Sequence, residues 1–238
     1  MREIVSELAP KAVLRAGINM SNALLVTGVT SSGDPAGVAP DMAAEIARRL
    51  GVPVAYVKFD RPSTLADAAG TDAWDIGLIG AEPARAEKIA FTPAYCEIEA
   101  TYLVPGNSLY QEIADVDRAG SRIAVRRGSA YDLWLTRNIR HATLLRSDAA
   151  DAPFNQFVAD GLDAVAGLRP QLLHDLNKLP GARILPGNFT AVQQAIGTAK
   201  VNSAGAAFLR EFVEEARRSG LVARLIERHQ VVGLSVAP

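Results

Sequence analysis

The run Trp74-Asp75-Ile76-Gly77-Leu78-Ile79-Gly80 constrains this chain most, because it reads as a buried strand ending in glycine. What precedes it alternates strand with helix. Residues 13–18 form a strand candidate that runs straight into the polar loop Asn19-Met20-Ser21-Asn22. Residues 24–27 read as a second short strand and 31–35 as a turn. Asp41, just after Pro40, can cap a helix in which Ala43, Ile46, Ala47 and Leu50 share a face. Arg48 and Arg49 suit its C-terminal dipole, and Gly51 stops it. Residues 52–59 read as a strand, 64–69 as a short helix and 81–88 as a helical turn after the buried strand. This β-α-β-α-β order favours a parallel sheet covered by helices.

A second series starts after residue 103. Residues 101–104 read as a strand, and Pro105-Gly106-Asn107-Ser108 is a breaker cluster. Residues 122–125 then form a strand, 129–139 a helix and 162–167 a strand. Residues 190–196 read as a strand returning to the first series, followed by helices over 206–219 and 221–230 with Gly220 between them. The expected fold is therefore α/β, two Rossmann-like lobes joined by two hinge strands. Residues 1–104 and 193–238 would make one discontinuous lobe, and 105–192 an inserted one. Such a layout leaves a cleft, and open α/β sheets bind ligands at the carboxyl ends of their strands.

Composition excludes several classes of partner. A formal net charge of -1 with scattered basic residues gives no patch for nucleic acid. No apolar run approaches the roughly 20 residues needed to cross a bilayer, so no membrane insertion is expected. Glu3 and Glu7 interrupt the N-terminus where a signal peptide needs a continuous apolar stretch. As written the chain reads as cytoplasmic, and as periplasmic if a leader has been removed. Cys96 is the only cysteine, so no intrachain disulfide can form, and it reads as a small buried residue. His141, His174 and His229 lie far apart without metal-ligand spacing, so neither a metal nor another cofactor is expected. A monomer is expected.

Two segments could carry chemistry. Gly80-Ala81-Glu82-Pro83-Ala84-Arg85 follows the buried strand; its glycine lets backbone approach a ligand, and Arg85 can grip a carboxylate with two parallel hydrogen bonds. Arg85 reads equally as a surface arginine paired with Glu82 or Glu87. Gly128-Ser129-Ala130-Tyr131-Asp132 lies between strand and helix, where Ser129 can cap and Asp132 can complete a capping box. The same helix start is an anion site or a plain cap.

In this order the two segments resemble the family 3 extracellular solute-binding proteins, the amino-acid-type receptors of ABC importers. The resemblance spans residue 13 to about residue 231. Its most specific part is Trp74-Asp75-Ile76-Gly77 followed by Arg85-Ala86-Glu87-Lys88-Ile89-Ala90-Phe91-Thr92-Pro93-Ala94-Tyr95. It implies a receptor that closes on a small carboxylate, an amino acid or related organic acid, for ABC-type import or sensing, with ABC permease subunits as partners. Arg85 would clamp the carboxylate with help from Gly80 and Ala81, and Ser129 and Ala130 would grip it from across the cleft. Asn19 and Asn22 would line the pocket, and 103–106 and 187–190 would cover the hinge crossings. Leu168 stands where amino-acid-binding members usually place the acid that holds the α-ammonium, and Arg169 follows it. That favours a ligand without an amine, or one whose amine is held by other groups. No catalytic residue is assigned. The alternatives are a cyclohexadienyl-dehydratase-like lyase, for which Glu82, Glu97 and Glu99 are the nearby acids, and a cytoplasmic sensor with no permease.

Overall fold

The computed structural model describes residues 1–238. The chain forms α1 (Arg2–Leu8), β1 (Leu14–Asn19), the short pair β2 (Gly28–Val29) and β3 (Pro35–Ala36), α2 (Val38–Leu50), β4 (Val54–Phe59), α3 (Pro62–Asp67), β5 (Ile76–Gly80) and β6 (Ile89–Phe91). The long strand β7 (Cys96–Val104) follows. Next come β8 (Arg122–Arg126), α4 (Ala130–Asn138), β9 (Thr143–Ser147), α5 (Ala152–Ala159), β10 (Ala164–Leu168), α6 (Arg169–Leu176) and β11 (Arg183–Ile184). The strand β12 (Thr190–Ala199) leads to α7 (Ser203–Arg218), α8 (Leu221–Arg228) and β13 (Ser235–Val236).

The chain divides into two compact units, Met1–Glu97 with Gln193–Pro238, and Ile98–Val192. Both changes of unit fall inside strands, β7 and β12.

In the first unit β4 and β5 flank β1 in parallel, and β12 adds antiparallel to β5. Space at the centre is reserved for Trp74. Gly17 and Gly77 are register partners on β1 and β5. A β-carbon on Gly77 would come within 2.9 Å of a Leu65 methyl carbon, and one on Gly17 within 3.2 Å of the Trp74 ring. The indole fills this space beside Leu65, Ile79 and Ile89, and its N–H donates to the Leu65 carbonyl at 3.0 Å. Asp75, buried next to Trp74, accepts from the Arg15 backbone N–H (2.8 Å) and from its guanidinium, which ties the entry of β5 to β1. That pairing pushes the Arg15 pKa up, the Asp75 hydrogen bond first among its causes.

In the second unit β8 lies between β9 and β10 in parallel, and β10 pairs antiparallel with β7. One face of this sheet packs Tyr102, Ile123, Val125 and Leu135; the other packs Leu103, Ala124, Phe157 and Leu172.

Several local expectations change. Residues 24–27 form no strand: 23–25 are a turn, in which the Asn22 carbonyl accepts from both Leu25 N–H and Val26 N–H, and 26–27 have no regular element. The helix expected after Asp41 starts at Val38. Gly37 precedes it at a φ of 147°, with its absent β-carbon only 2.3 Å from the Leu25 carbonyl oxygen, so Pro40 falls in the first turn, where proline is tolerated. Residues 2–8 are a helix of the first unit: Leu8 is fully buried against Gly205, and the Glu7 carboxylate accepts from the Gly205 N–H at 2.6 Å.

Candidate ligand-binding site

The first unit brings Asn19, Asn22, Gly80, Ala81 and Arg85 to the carboxyl ends of its parallel strands. β1 ends at Asn19 and β5 at Gly80, and these strands are hydrogen-bonded neighbours. The loop after Asn19 is held by its own side chains. Asn19 Oδ1 accepts from the Ser21 hydroxyl at 2.6 Å, and Asn22 Oδ1 from the Leu24 N–H at 3.2 Å. After β5, Ala81 N–H donates to the Gln193 carbonyl (2.7 Å) and Ala86 N–H to the Glu82 carbonyl (2.9 Å), which fixes the segment as a tight turn.

Arg85 is not a surface arginine. It is 6% exposed, and one guanidinium nitrogen donates to the Gly80 carbonyl at 2.7 Å. Burial lowers its pKa to about 10, against the opposing fields of Glu82 and then Asp67. A buried guanidinium at the carboxyl edge of a parallel sheet is chemically suited to an anionic ligand.

The conspicuous motif that follows Arg85 serves the framework. Ile89–Phe91 is β6, paired with β12. The Thr92 hydroxyl donates to the Pro93 carbonyl (2.7 Å) and accepts from Ile196 N–H (3.2 Å). Tyr95 is fully buried, and burial pushes both its hydroxyl and the adjacent Cys96 thiol well up in pKa. These residues hold β12 beside β5 and so fix where the Arg85 turn begins.

In the second unit Ser129 caps α4. Its Oγ accepts from Asp132 N–H at 3.1 Å and donates to the Arg126 carbonyl at 2.9 Å. The capping partner reaches one residue further back than a standard box: buried Asp132 accepts from Gly128 N–H (2.9 Å) and pairs with Arg146 (2.8 Å). Ala130 and Leu168 come together in one apolar cluster with Ala100, Tyr131, Phe189 and Val192. Arg169 turns from that cluster to Glu99, and to the Gly187 carbonyl at 2.5 Å. Of the other acids, Glu97 accepts from the Gln193 amide at 2.8 Å. No cluster of His, Cys, Asp and Glu is arranged to hold a metal ion.

The description "bacterial extracellular solute-binding proteins, family 3" matches residues 14–231. The chain belongs to that family. It is therefore a solute-binding protein, and no helix is long and apolar enough to cross a membrane. No curated protein matches the chain. Among solved structures it is similar to a P235GK mutant of ArgBP from T. maritima, with 22% identity, a TM-score of 0.75, and 95% of this chain and 99% of that one covered. It is also similar to the amino acid ABC transporter substrate-binding protein AbpA from Streptococcus pneumoniae bound to L-arginine, with 17% identity, TM-score 0.74 and coverage of 93% and 96%. A third is the ancestral amino acid-binding protein AncCDT-1, a precursor of cyclohexadienyl dehydratase, with 18% identity, TM-score 0.75 and coverage of 94% and 97%. At these identities the likeness establishes the fold, the α/β architecture of type II periplasmic binding proteins.

Proposed function

We propose that this solute-binding protein takes a small carboxylate, an amino acid or a related organic acid, with Arg85 as its principal charged contact, in ABC-type import or in sensing. The observation that carries the reading is the burial of the Arg85 guanidinium at the carboxyl edge of the first unit's sheet. A desolvated cation is costly, and an anion supplied by the ligand offsets that cost. The backbone turn over 80–85 and the Asn19–Asn22 loop supply polar groups on the same edge. Two of the similar structures are described as an amino acid-binding protein and as an amino acid ABC transporter substrate-binding protein bound to L-arginine, which agrees with a carboxylate ligand. Membership of an extracellular family favours the periplasm as the working compartment.

A thermal-shift screen over amino acids, keto acids and dicarboxylates identifies the ligand class, since a ligand that binds only the folded state raises its stability. Calorimetry on Arg85→Ala then tests the contact. Binding to the variant as tight as to the wild type would remove the carboxylate reading. The likeness to a dehydratase precursor is tested by incubation with prephenate or arogenate, where no product is expected.

A further inference from the structure

Two surface grooves of the first unit meet at Val236 and carry opposite charge. One lies between α8 and the chain that follows it, walled by Ile226, Val231, Val232 and Val236, with Glu227 as its charged residue. The other lies where the end of α7 approaches β13, and there Arg217 and Arg218 outnumber Glu214. The fold holds Val232 out in the open. Val231 N–H donates to the Ile226 carbonyl at 3.1 Å, Gln230 takes a left-handed φ of 51°, Gly233 turns the chain again at 86°, and Leu234 is buried. The result is a valine 84% exposed between two anchored stretches. We infer that this face is where a second copy of the chain docks, giving a two-fold dimer in place of the monomer that the sequence suggests.

Charge selects the occupant. Glu227, Arg217 and Arg218 form no ion pair within the chain, although Glu214 stands one helical turn before the two arginines. Glu215, the next acid on α7, is taken by Arg49. A two-fold interface sets the same surface against itself. With its axis near Val236, the acidic apolar groove of one copy lies over the basic groove of the other. Glu227 then meets Arg217 and Arg218 twice, and both copies of Val232 leave water. A foreign partner would have to bring both charges in that arrangement, whereas the chain already carries them. An anionic membrane or nucleic acid is disfavoured by Glu227 and Glu214. Other exposed apolar residues, such as Leu109 and Val201, line neither groove and need no partner.

The test is sedimentation of the full chain over a concentration series without added ligand. The mass is expected to rise from 25.2 kDa towards twice that value in the micromolar range. Val232→Glu and Glu227→Arg are each expected to weaken association roughly ten-fold or more, with thermal melts unchanged because both side chains are exposed. A chain carrying Arg217→Glu together with Arg218→Glu should be impaired in the same way. Mixed in equal amounts, that chain and Glu227→Arg should pair again, since every charged contact in the mixed dimer is once more acid against base. A wild type that keeps its monomer mass at all concentrations overturns the inference. So does a dimer indifferent to Val232→Glu and Glu227→Arg, because it forms through another face, and so does a mixture that fails to pair.

Discussion

Arg85 and Arg169 each stand just beyond the carboxyl end of a strand, one in each unit, yet the fold treats them oppositely. Arg85 is almost wholly buried, donates to a backbone carbonyl, and has its pKa lowered to about 10 by that burial. Arg169 has a side chain 27% exposed and is paired with Glu99, itself half exposed, and with the Gly187 carbonyl. An exposed pair of that kind contributes little to stability and leaves little charge to offer. A buried guanidinium is a standing cost, and under the proposed function a ligand carboxylate would help to offset it. An arginine that follows a strand end can therefore have two meanings, and packing separates them.

Binding gives the largest expected contrast. Charge-assisted hydrogen bonds contribute about 1.5–3 kcal/mol each, so Arg85→Ala should weaken the ligand by about two to three powers of ten. Arg85→Lys should recover part of this, since a point charge cannot reproduce a two-pronged grip. Arg169→Ala should change affinity by less than about three-fold, as expected for a residue engaged with Glu99. Equal losses in the two alanine variants, measured by calorimetry, would collapse the comparison.

Stability gives the next contrast. Asp132 in the second unit is buried and bridges Gly128 N–H and the Arg146 guanidinium. Asp132→Ala strips both partners, and denaturant melts should show a loss of about 2–3 kcal/mol. Arg85 behaves the other way. Its folded-state pKa lies below the ordinary arginine value, so at every pH below about 10 the fold disfavours the charged form. Arg85→Met keeps bulk and removes charge, and in the absence of ligand it should hold or raise stability, by up to about 1 kcal/mol. A clear drop would mean that Arg85 is a structural residue and not one kept for a ligand.

The first unit was the more legible in sequence. Its strands are compact apolar runs separated by polar loops, and the run from Arg85 to Tyr95 is distinctive because its members are framework contacts as well as neighbours of the site. The second unit hid β9 and α5 altogether. Thr143–Ser147 has only two apolar residues, and the run Asp148-Ala149-Ala150-Asp151 before α5 resembles loop. Proline in the first turn, Pro153 in α5 and Pro170 in α6, was the available signal for both helix starts. The burial of Arg85 could not be read locally, because it is set by the fold around the turn and not by the period of the turn itself. Glu82 was visible in sequence both as a candidate partner of Arg85 and as one of three nearby acids.

The smallest effect expected is one of pH. In the first unit Glu45 on α2 accepts two bonds from Arg48 (both 2.7 Å) and one from Arg49 (3.0 Å). The Arg48 hydrogen bond, with Arg49 adding and burial opposing, lowers its pKa to about 2. In the second unit Asp117 is also held below the usual carboxylate range. Burial opposes the shift, but the backbone N–H groups of Ala142, His141 and Arg140 outweigh it. For both, the folded pKa lies below the unfolded one. The stability each confers is therefore present above the ordinary carboxylate range and is lost as pH falls through the folded value. The partners differ, however. Arg48 and Arg49 are side chains on the same helix surface, screened by water and salt, whereas the Asp117 donors are backbone N–H groups held in place by the fold. Glu45→Gln should cost less than about 1 kcal/mol at neutral pH, and the difference from wild type should shrink with added salt and vanish near pH 2. Asp117→Asn should cost more at neutral pH and respond little to salt, because one amide oxygen cannot accept all three N–H groups as the carboxylate does. Thermal melts from pH 7 to pH 2 at two salt concentrations check both. If Glu45→Gln proves the more damaging and the less salt-sensitive, surface pairing in the first unit is stronger than its exposure allows, and the ranking of the two carboxylates is reversed.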